Sequence, residues 1–443
     1  MPLTFDRTAQ RLKHLHFIAI VAGFLLWSTW LGGILLGGSQ TKPDFPYLVL
    51  GAPNGERDML GLIVSVDHLA FYSPARMIRD GRSGEIYDHR TIHQYQQEIF
   101  HPRPWDSLEA YRNPPFYALL YMPTTGLSYT TSVWIWSGVS LVLLMLGLRS
   151  LQPARFWVAF GWVLTFLPVF ASFSYGQNSV VSFAVFCGTF RLLLARRPFL
   201  AGLVAGLLWF KPPLLIGLVL WGLLDIRRLW PAAFGVVVSG LLLSGGSYLI
   251  IPDAWDAFFR TLTENAKFDN FEWWKMHNPR AFWRLLLPGV PVAPTVLWLL
   301  CVALGVVWFW KIWSRNRENI PVVFGASVLL MLWASPHTMI YEWAIAVVPA
   351  ILWWVHVPRY RSTLFVLYAI VGVILFVSTD AGRAQVWIEE KKLGMSPTII
   401  FQFSVPILGW VGWHAMKILT RPPEVQSQRP IDEIPPVATG SGP

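Results

Sequence analysis

The sequence predicts an all-α polytopic membrane protein, a set of helical crossings with one re-entrant-like helical hairpin and a long first outside loop. Three observations predict it. Hydrophobic residues fill 54% of the 443 positions, charged residues only 14%, and the mean hydropathy is +0.47, which leaves too little polar surface for a soluble domain of this length. Apolar runs recur along the chain between short polar breaks. Lys and Arg gather in short clusters after alternate runs, as cytoplasmic loops do. The net charge of +10 resides in those clusters and forms no continuous basic face, which speaks against a nucleic-acid partner.

Each element follows from that alternation. Arg7, Arg11 and Lys13 precede the apolar run 17–36, which has no small-residue cleavage site after it and is expected to stay as the first span. The loop 37–113 then lies outside. The run 133–148 returns to Arg149 and Arg155, 156–173 exits at Tyr175-Gly176-Gln177-Asn178, and 180–194 returns to Arg196 and Arg197. The stretch 199–224 is basic at both ends and broken by Phe210-Lys211-Pro212-Pro213, so two half-helices forming a hairpin fit better than one span. The run 229–251 exits to a second outside loop at 252–290, and 296–313 returns to Arg315 and Arg317. Next, 322–334 exits at Ser335-Pro336-His337, 344–357 returns to Arg359 and Arg361, 364–378 exits, and 399–419 ends at Arg421. About ten crossings plus the hairpin result, with both termini cytoplasmic. Residues 1–420 read as a single transmembrane domain, and the proline-rich stretch 421–443 as a disordered cytoplasmic tail. Cys187 and Cys301 lie inside apolar runs and behave as small hydrophobes. No internal repeat is evident.

This topology collects the unusual polar residues on the outside face: Asp67, Arg112-Asn113, Gln177-Asn178, His277-Asn278-Pro279-Arg280, His337 and Tyr341-Glu342. In the first loop Leu69, Tyr72, Ala75 and Ile78 recur at helical spacing, as do Ile92, Tyr95 and Ile99, which predicts two interfacial helices. Asp67 stands just before the first of them, where it serves either as a helix N-cap or as a catalytic carboxylate. Lys211 is expected to meet an anion, because an ammonium in apolar sequence costs roughly 2.5–3.5 kcal/mol unless paired or hydrated. The alternatives are a structural ion pair or a snorkelling side chain. Arg280, His277 and Arg112 are further candidates to clamp phosphate. The outside loops carry no Asp-x-Asp pair, no Cys/His cluster and no His-Glu-x-x-His, so neither a metal nor another cofactor is expected.

The stretches VDHLAFYSPARMIRDGRSGEIYD, YRNPPFYALLYMPTTGL and YGQNSVVSFAVFCGTFRLLLARRPFLAGLVAGLLWFKPPLL resemble the glycosyltransferase 87 family. The ordered set Asp67, Tyr87, Pro114-Pro115, Gly176-Gln177-Asn178 and Lys211-Pro212 carries the resemblance, which covers about residues 60–355. It implies a membrane enzyme of GT-C type, similar to polyprenyl-phosphate-mannose-dependent α-mannosyltransferases. It further implies a polyprenyl-phosphate-sugar donor, metal-independent inverting transfer, and a catalytic aspartate in the first outside loop, which by motif position is Asp67. On this reading a hexose, mannose by resemblance, passes to a hydroxyl of a lipid or glycan acceptor at the extracytoplasmic face of an inner or plasma membrane. Lys211, Arg280, His277, Arg112 and His337 would neutralise the donor phosphate. Gln177, Asn178, Asn278, Tyr341 and Glu342 would bind sugar or acceptor. The stretch SPHTMIYEW departs from the Trp-Asp-His-His-like segment of many members, and Glu342 best matches the acidic position there. The competing expectations are a polytopic lipid or glycolipid transporter or flippase, or a GT-C transferase using another lipid-linked sugar. Membrane lipids are partners on every one of these readings.

Overall fold

Helix formation follows the apolar runs closely. Residues 17, 21–32, 64–101, 107–265, 273–393 and 399–421 are described by a computed structural model, and their regular structure is helical apart from one isolated antiparallel bridge between Met276 and Met339. The expected tail from 422 onward and most of the first loop before Val64 lie outside the described residues.

Helix α1 (Val21–Gly32) occupies part of the expected first span, and α2 (Leu69–Arg79) and α3 (His89–Phe100) form over the two amphipathic stretches of the loop. Asp88 starts α3 by accepting the Thr91 N–H at 2.8 Å. A short α4 (Pro115–Tyr121) leads into α5 (Tyr129–Leu151), started by Ser128, whose hydroxyl accepts the Thr131 N–H. Next come α6 (Phe156–Leu164) and α7 (Leu167–Ser174), bent by 69°. Proline explains the bend, because Pro168 has no N–H to give to the carbonyl of Leu164. The Trp27 indole of α1 donates to that carbonyl at 2.8 Å instead.

The chain continues through α8 (Ser179–Leu194), α9 (Pro198–Ala205), α10 (Ile216–Leu224), α11 (Ile226–Ile250), α12 (Pro252–Asn265) and α13 (Pro279–Leu286). It ends with α14 (Ala293–Arg315), α15 (Ile320–Ala334), α16 (Val347–His356), α17 (Arg361–Leu393) and α18 (Ser404–Leu419). Among the described residues four segments are long and apolar enough to cross a membrane, namely α5, α11, α14 and Pro358–Val386, or five with the bent α6–α7 pair. Shorter apolar helices such as α8, α15 and the two hairpin limbs pack among them. The protein is thus an all-α polytopic membrane protein.

Contacts settle the course of the hairpin. Gly202 of α9 abuts Ala232 of α11, Gly206 lies against Ser239, and the Trp209 ring lies against Gly240, its indole reaching back to donate to the Val236 carbonyl at 2.9 Å. Contact positions rise together in both segments, so α9 and α11 run in the same direction. The intervening 212–224 therefore runs back the opposite way, as a re-entrant pair must. The turn is made of two 3₁₀ segments, Gly206–Phe210 and Pro212–Leu215, with Lys211 between them. Consecutive prolines prevent the first helix from continuing.

The returning limb is held by close packing: a Cβ on Gly217 would collide with the Ser327 carbonyl oxygen of α15, whereas one on Gly222 would meet open space. Gly217→Ala should therefore cost about 1–3 kcal/mol through overpacking. Thermal unfolding in detergent checks this, with a lowered midpoint expected for Gly217→Ala and none for Gly222→Ala.

Candidate active site

Two turns from distant parts of the chain meet at Asp67. Ser65, in the left-handed region with φ 54°, opens a 3₁₀ turn over Val66–His68, and its hydroxyl donates to the Phe173 carbonyl at 3.3 Å. The Asp67 N–H donates to the Tyr175 carbonyl at 3.0 Å. Gly176 lets the second turn come this close: its φ is +72°, and a Cβ there would fall 2.7 Å from the Cβ of Ser65. The approach delivers the Gln177 amide to the Asp67 carboxylate, Nε2 donating to Oδ2 at 2.6 Å. Asp67 does not cap α2. That helix starts at His68 with no side-chain cap, and the carboxylate turns to Gln177 instead. His68 is buried, its Nε2 2.9 Å from the Ser132 hydroxyl, so it anchors the turn to α5.

The hairpin tip supplies the cation. Asn113 Nδ2 donates to the Phe210 carbonyl at 3.0 Å, the Tyr87 hydroxyl donates to the Asn113 carbonyl at 2.6 Å, and the Phe210 ring stacks on Tyr117 at 4.4 Å. Lys211, fixed by these contacts to its neighbour, forms an ion pair with Glu342. The Glu342 side chain is only 3% exposed and that of Lys211 24%, so the carboxylate is the more deeply buried partner. The structural ion pair considered among the alternatives for Lys211 is thus present. The Lys211 Nζ also lies 5.9 Å from the centre of the Tyr341 ring, and Asp67 lies within electrostatic reach of both Lys211 and Tyr341. A carboxylate and an ammonium from segments over 100 residues apart thus face one space.

Arg280, Lys211 and Arg112 all act on His337. Burial chiefly, and then those three cations, push its imidazole from 6.5 down to about 4. Arg280 is flanked by the Trp273 ring at 5.3 Å and the Trp298 ring at 5.7 Å, which orients its guanidinium. His277 sits apart from this cluster. It is fully buried, with Nδ1 2.8 Å from the Ser404 hydroxyl and Nε2 2.7 Å from that of Thr379, so both ring nitrogens are engaged with α17 and α18. Asn278 is equally buried and spends its carbonyl oxygen on the Ala281 N–H, starting α13. Asn178 is buried beside Gln177 and lines a small polar cavity together with His68, Tyr121, Ser137 and Ser172.

The sequence reading did not assign the supports. Asn113 and Tyr117 hold the hairpin tip, a role that neither their place in YRNPPFY nor the position of Asn113 on the outside face specifies. No group of three or more His, Cys, Asp or Glu residues gathers as a metal-binding cluster among the described residues. Chemically, the arrangement offers a base held by an amide, with fixed positive charge beside it.

An apolar cavity of about 110 Å³ is lined by Trp308, Trp333, Trp343 and Trp353 with Phe309 and Tyr368. Trp343 follows Glu342 directly, and its indole donates to the His277 carbonyl at 3.2 Å.

Comparison with known proteins finds that the family model for glycosyltransferase family 87 matches residues 111–336. No curated protein and no solved structure matches the chain. The matched stretch contains Arg112, Gln177, Asn178, Lys211, His277, Asn278 and Arg280, while Asp67 precedes it and His337, Tyr341 and Glu342 follow it.

Two outcomes follow for stability. Asn113→Ala removes the donor to the Phe210 carbonyl and should cost about 1 kcal/mol, measured by thermal unfolding in detergent. Acidification from pH 6.5 toward about 4 should also destabilise the protein, because His337 takes up its proton in the unfolded chain before it does so in the native one. His68 and His277, driven by burial to about 3, add to the fall. His337→Gln should flatten the pH dependence of the unfolding midpoint above pH 4, and an unchanged slope would contradict it.

Proposed function

The chain belongs to glycosyltransferase family 87 and is a membrane glycosyltransferase, and from that premise we propose that it moves a hexose, mannose by resemblance, from a polyprenyl-phosphate-linked donor to a hydroxyl of a lipid or glycan acceptor. Transfer takes place at the extracytoplasmic face of an inner or plasma membrane, inverts the anomeric centre and needs no metal. The observation that carries this reading is the Asp67 carboxylate, oriented by Gln177 and facing the Lys211 ammonium at the hairpin tip.

In the proposed step Asp67 takes the proton of the acceptor hydroxyl as its oxygen attacks the anomeric carbon. The carbon–oxygen bond to phosphate breaks on the opposite face, and its electron pair leaves on the phosphate oxygen. Lys211, with Arg280 and Arg112 nearby, neutralises the charge that develops there. These side chains supply what a metal ion otherwise would. His337 stays neutral near pH 7 and donates or accepts a hydrogen bond at the phosphate without adding charge. Gln177, Asn178 and Tyr341 line the space for sugar and acceptor hydroxyls. Asn278 and His277, engaged with α13, α17 and α18, set the backbone from which Arg280 projects.

The tryptophan-lined cavity is apolar and supports a lipid-linked donor to that extent, as space that suits an apolar chain. The alternation of basic clusters supports the assignment of faces, with Asp67 opposite Arg196-Arg197 and Arg227-Arg228.

Purified protein incubated with radiolabelled polyprenyl-phosphate-mannose and a total lipid extract should transfer label to new products, equally with and without EDTA. Asp67→Asn should lower the rate by about 10²–10⁴-fold, the range for a lost general base. Full activity in that variant would remove Asp67 from the mechanism. Inhibition by EDTA would overturn metal independence, and absence of transfer from any lipid extract would return the sugar donor, and the transporter alternative, to open competition.

A further inference from the structure

We infer that Glu342 is a positioning residue for the donor phosphate, acting through Lys211, and not a ligand of the sugar. The inference rests on the reading of Lys211 as the phosphate-binding cation. The sequence placed Glu342 among the sugar and acceptor ligands, but both of its carboxylate oxygens are already engaged inside the protein. Oε1 pairs with the Lys211 ammonium, and Oε2 accepts the Met339 N–H at 2.7 Å, which closes the first turn of the 3₁₀ segment Ile340–Ala346. Buried to 3% exposure, this carboxylate cannot swing out to a sugar hydroxyl without leaving a backbone N–H and an ammonium unmatched.

Lys211 is in the opposite position. An ammonium has three donors, and Glu342 takes one of them. The residue before it is fixed through its carbonyl by Asn113 and through its ring by Tyr117. The long methylene stem is therefore tied at its root by the first loop and at its tip by Glu342, with Asp67 within electrostatic reach. Without Glu342 the same side chain would have several rotamers to choose from and an isolated charge to hydrate. Donor binding would then bear the cost of ordering it. The cost of ordering the side chain is met when the donor binds, so it appears chiefly in the donor KM; once bound, the phosphate itself holds Lys211 for the charge that develops later, and kcat changes less.

A double-variant cycle separates this role from simple support of the fold. Donor KM and kcat are measured with polyprenyl-phosphate-mannose for the wild type, Glu342→Gln, Lys211→Gln and the double variant. Glu342→Gln is expected to raise the donor KM about tenfold or more, the scale of a lost contact to a charged group, with kcat changed far less. In the Lys211→Gln background the same substitution should change the donor KM by less than about twofold, because its route of action is gone. Independent, multiplying effects of the two substitutions, or a loss confined to kcat, would overturn the inference while leaving the phosphate role of Lys211 in place. A Lys211→Gln variant with an unaltered donor KM would overturn both. Glu342→Asp, which keeps the charge and withdraws it by one methylene, carries the same cycle if Glu342→Gln does not fold.

Discussion

A positive charge carried into apolar surroundings must be met by a counter-charge that is itself held in place, and at Lys211 this requirement ties the molecule together. The partner is Glu342, more than 100 residues away, and its second oxygen is committed to the backbone of the turn that carries it. The hairpin tip is braced from the other side by Asn113 and Tyr117. Three stretches, around 113, 211 and 342, are therefore brought to one point by the neutralisation of one ammonium. A hairpin built for packing alone would have no use for a lysine there, and its limbs already pack through glycines, Gly202 and Gly206 against α11 and Gly217 against α15.

Opposite this fixed charge, the carboxylate of Asp67 is held by a different device. Its turn is docked on the Tyr175–Asn178 turn by backbone hydrogen bonds and by the near approach that Gly176 permits. Carboxylate and cation thus rest on separate supports, one anchored to α7 and α8, the other to the hairpin and the 3₁₀ segment before α16. Separate anchorage fixes each of the two opposite charges independently of the other.

Local chemistry made much of this legible before any coordinates. Pro212 and Pro213 between basic ends announced the hairpin, and the alternation of Arg clusters with apolar runs marked helices that mostly start and stop close to the expected bounds, although α17 runs on to Leu393, well past the apolar run 364–378. Asp67 and Lys211 stood out because a carboxylate before an amphipathic run and a lysine inside an apolar one each demand a reason. What stayed hidden depended on contacts between distant segments. Nothing near Glu342 says that its partner is Lys211, and nothing in MHNPRAF says that the imidazole of His277 is enclosed by hydroxyls from Thr379 and Ser404. The bend between α6 and α7 has a local cause in Pro168, yet the indole that satisfies the exposed carbonyl comes from α1. Side-chain identity reveals which groups need partners, and only the fold reveals which partners they find.

The crevice between α14 and α18 has an optical consequence. Four of the chain's 25 tryptophans, Trp308, Trp333, Trp343 and Trp353, line this one apolar space, and Trp343 is bonded through its indole to the backbone of His277. Indole emission responds to the polarity and packing of its surroundings, so a guest entering the crevice alters the light from several neighbouring emitters at once. The protein carries its own gauge of occupancy, readable without a label and independent of whether any bond is made or broken.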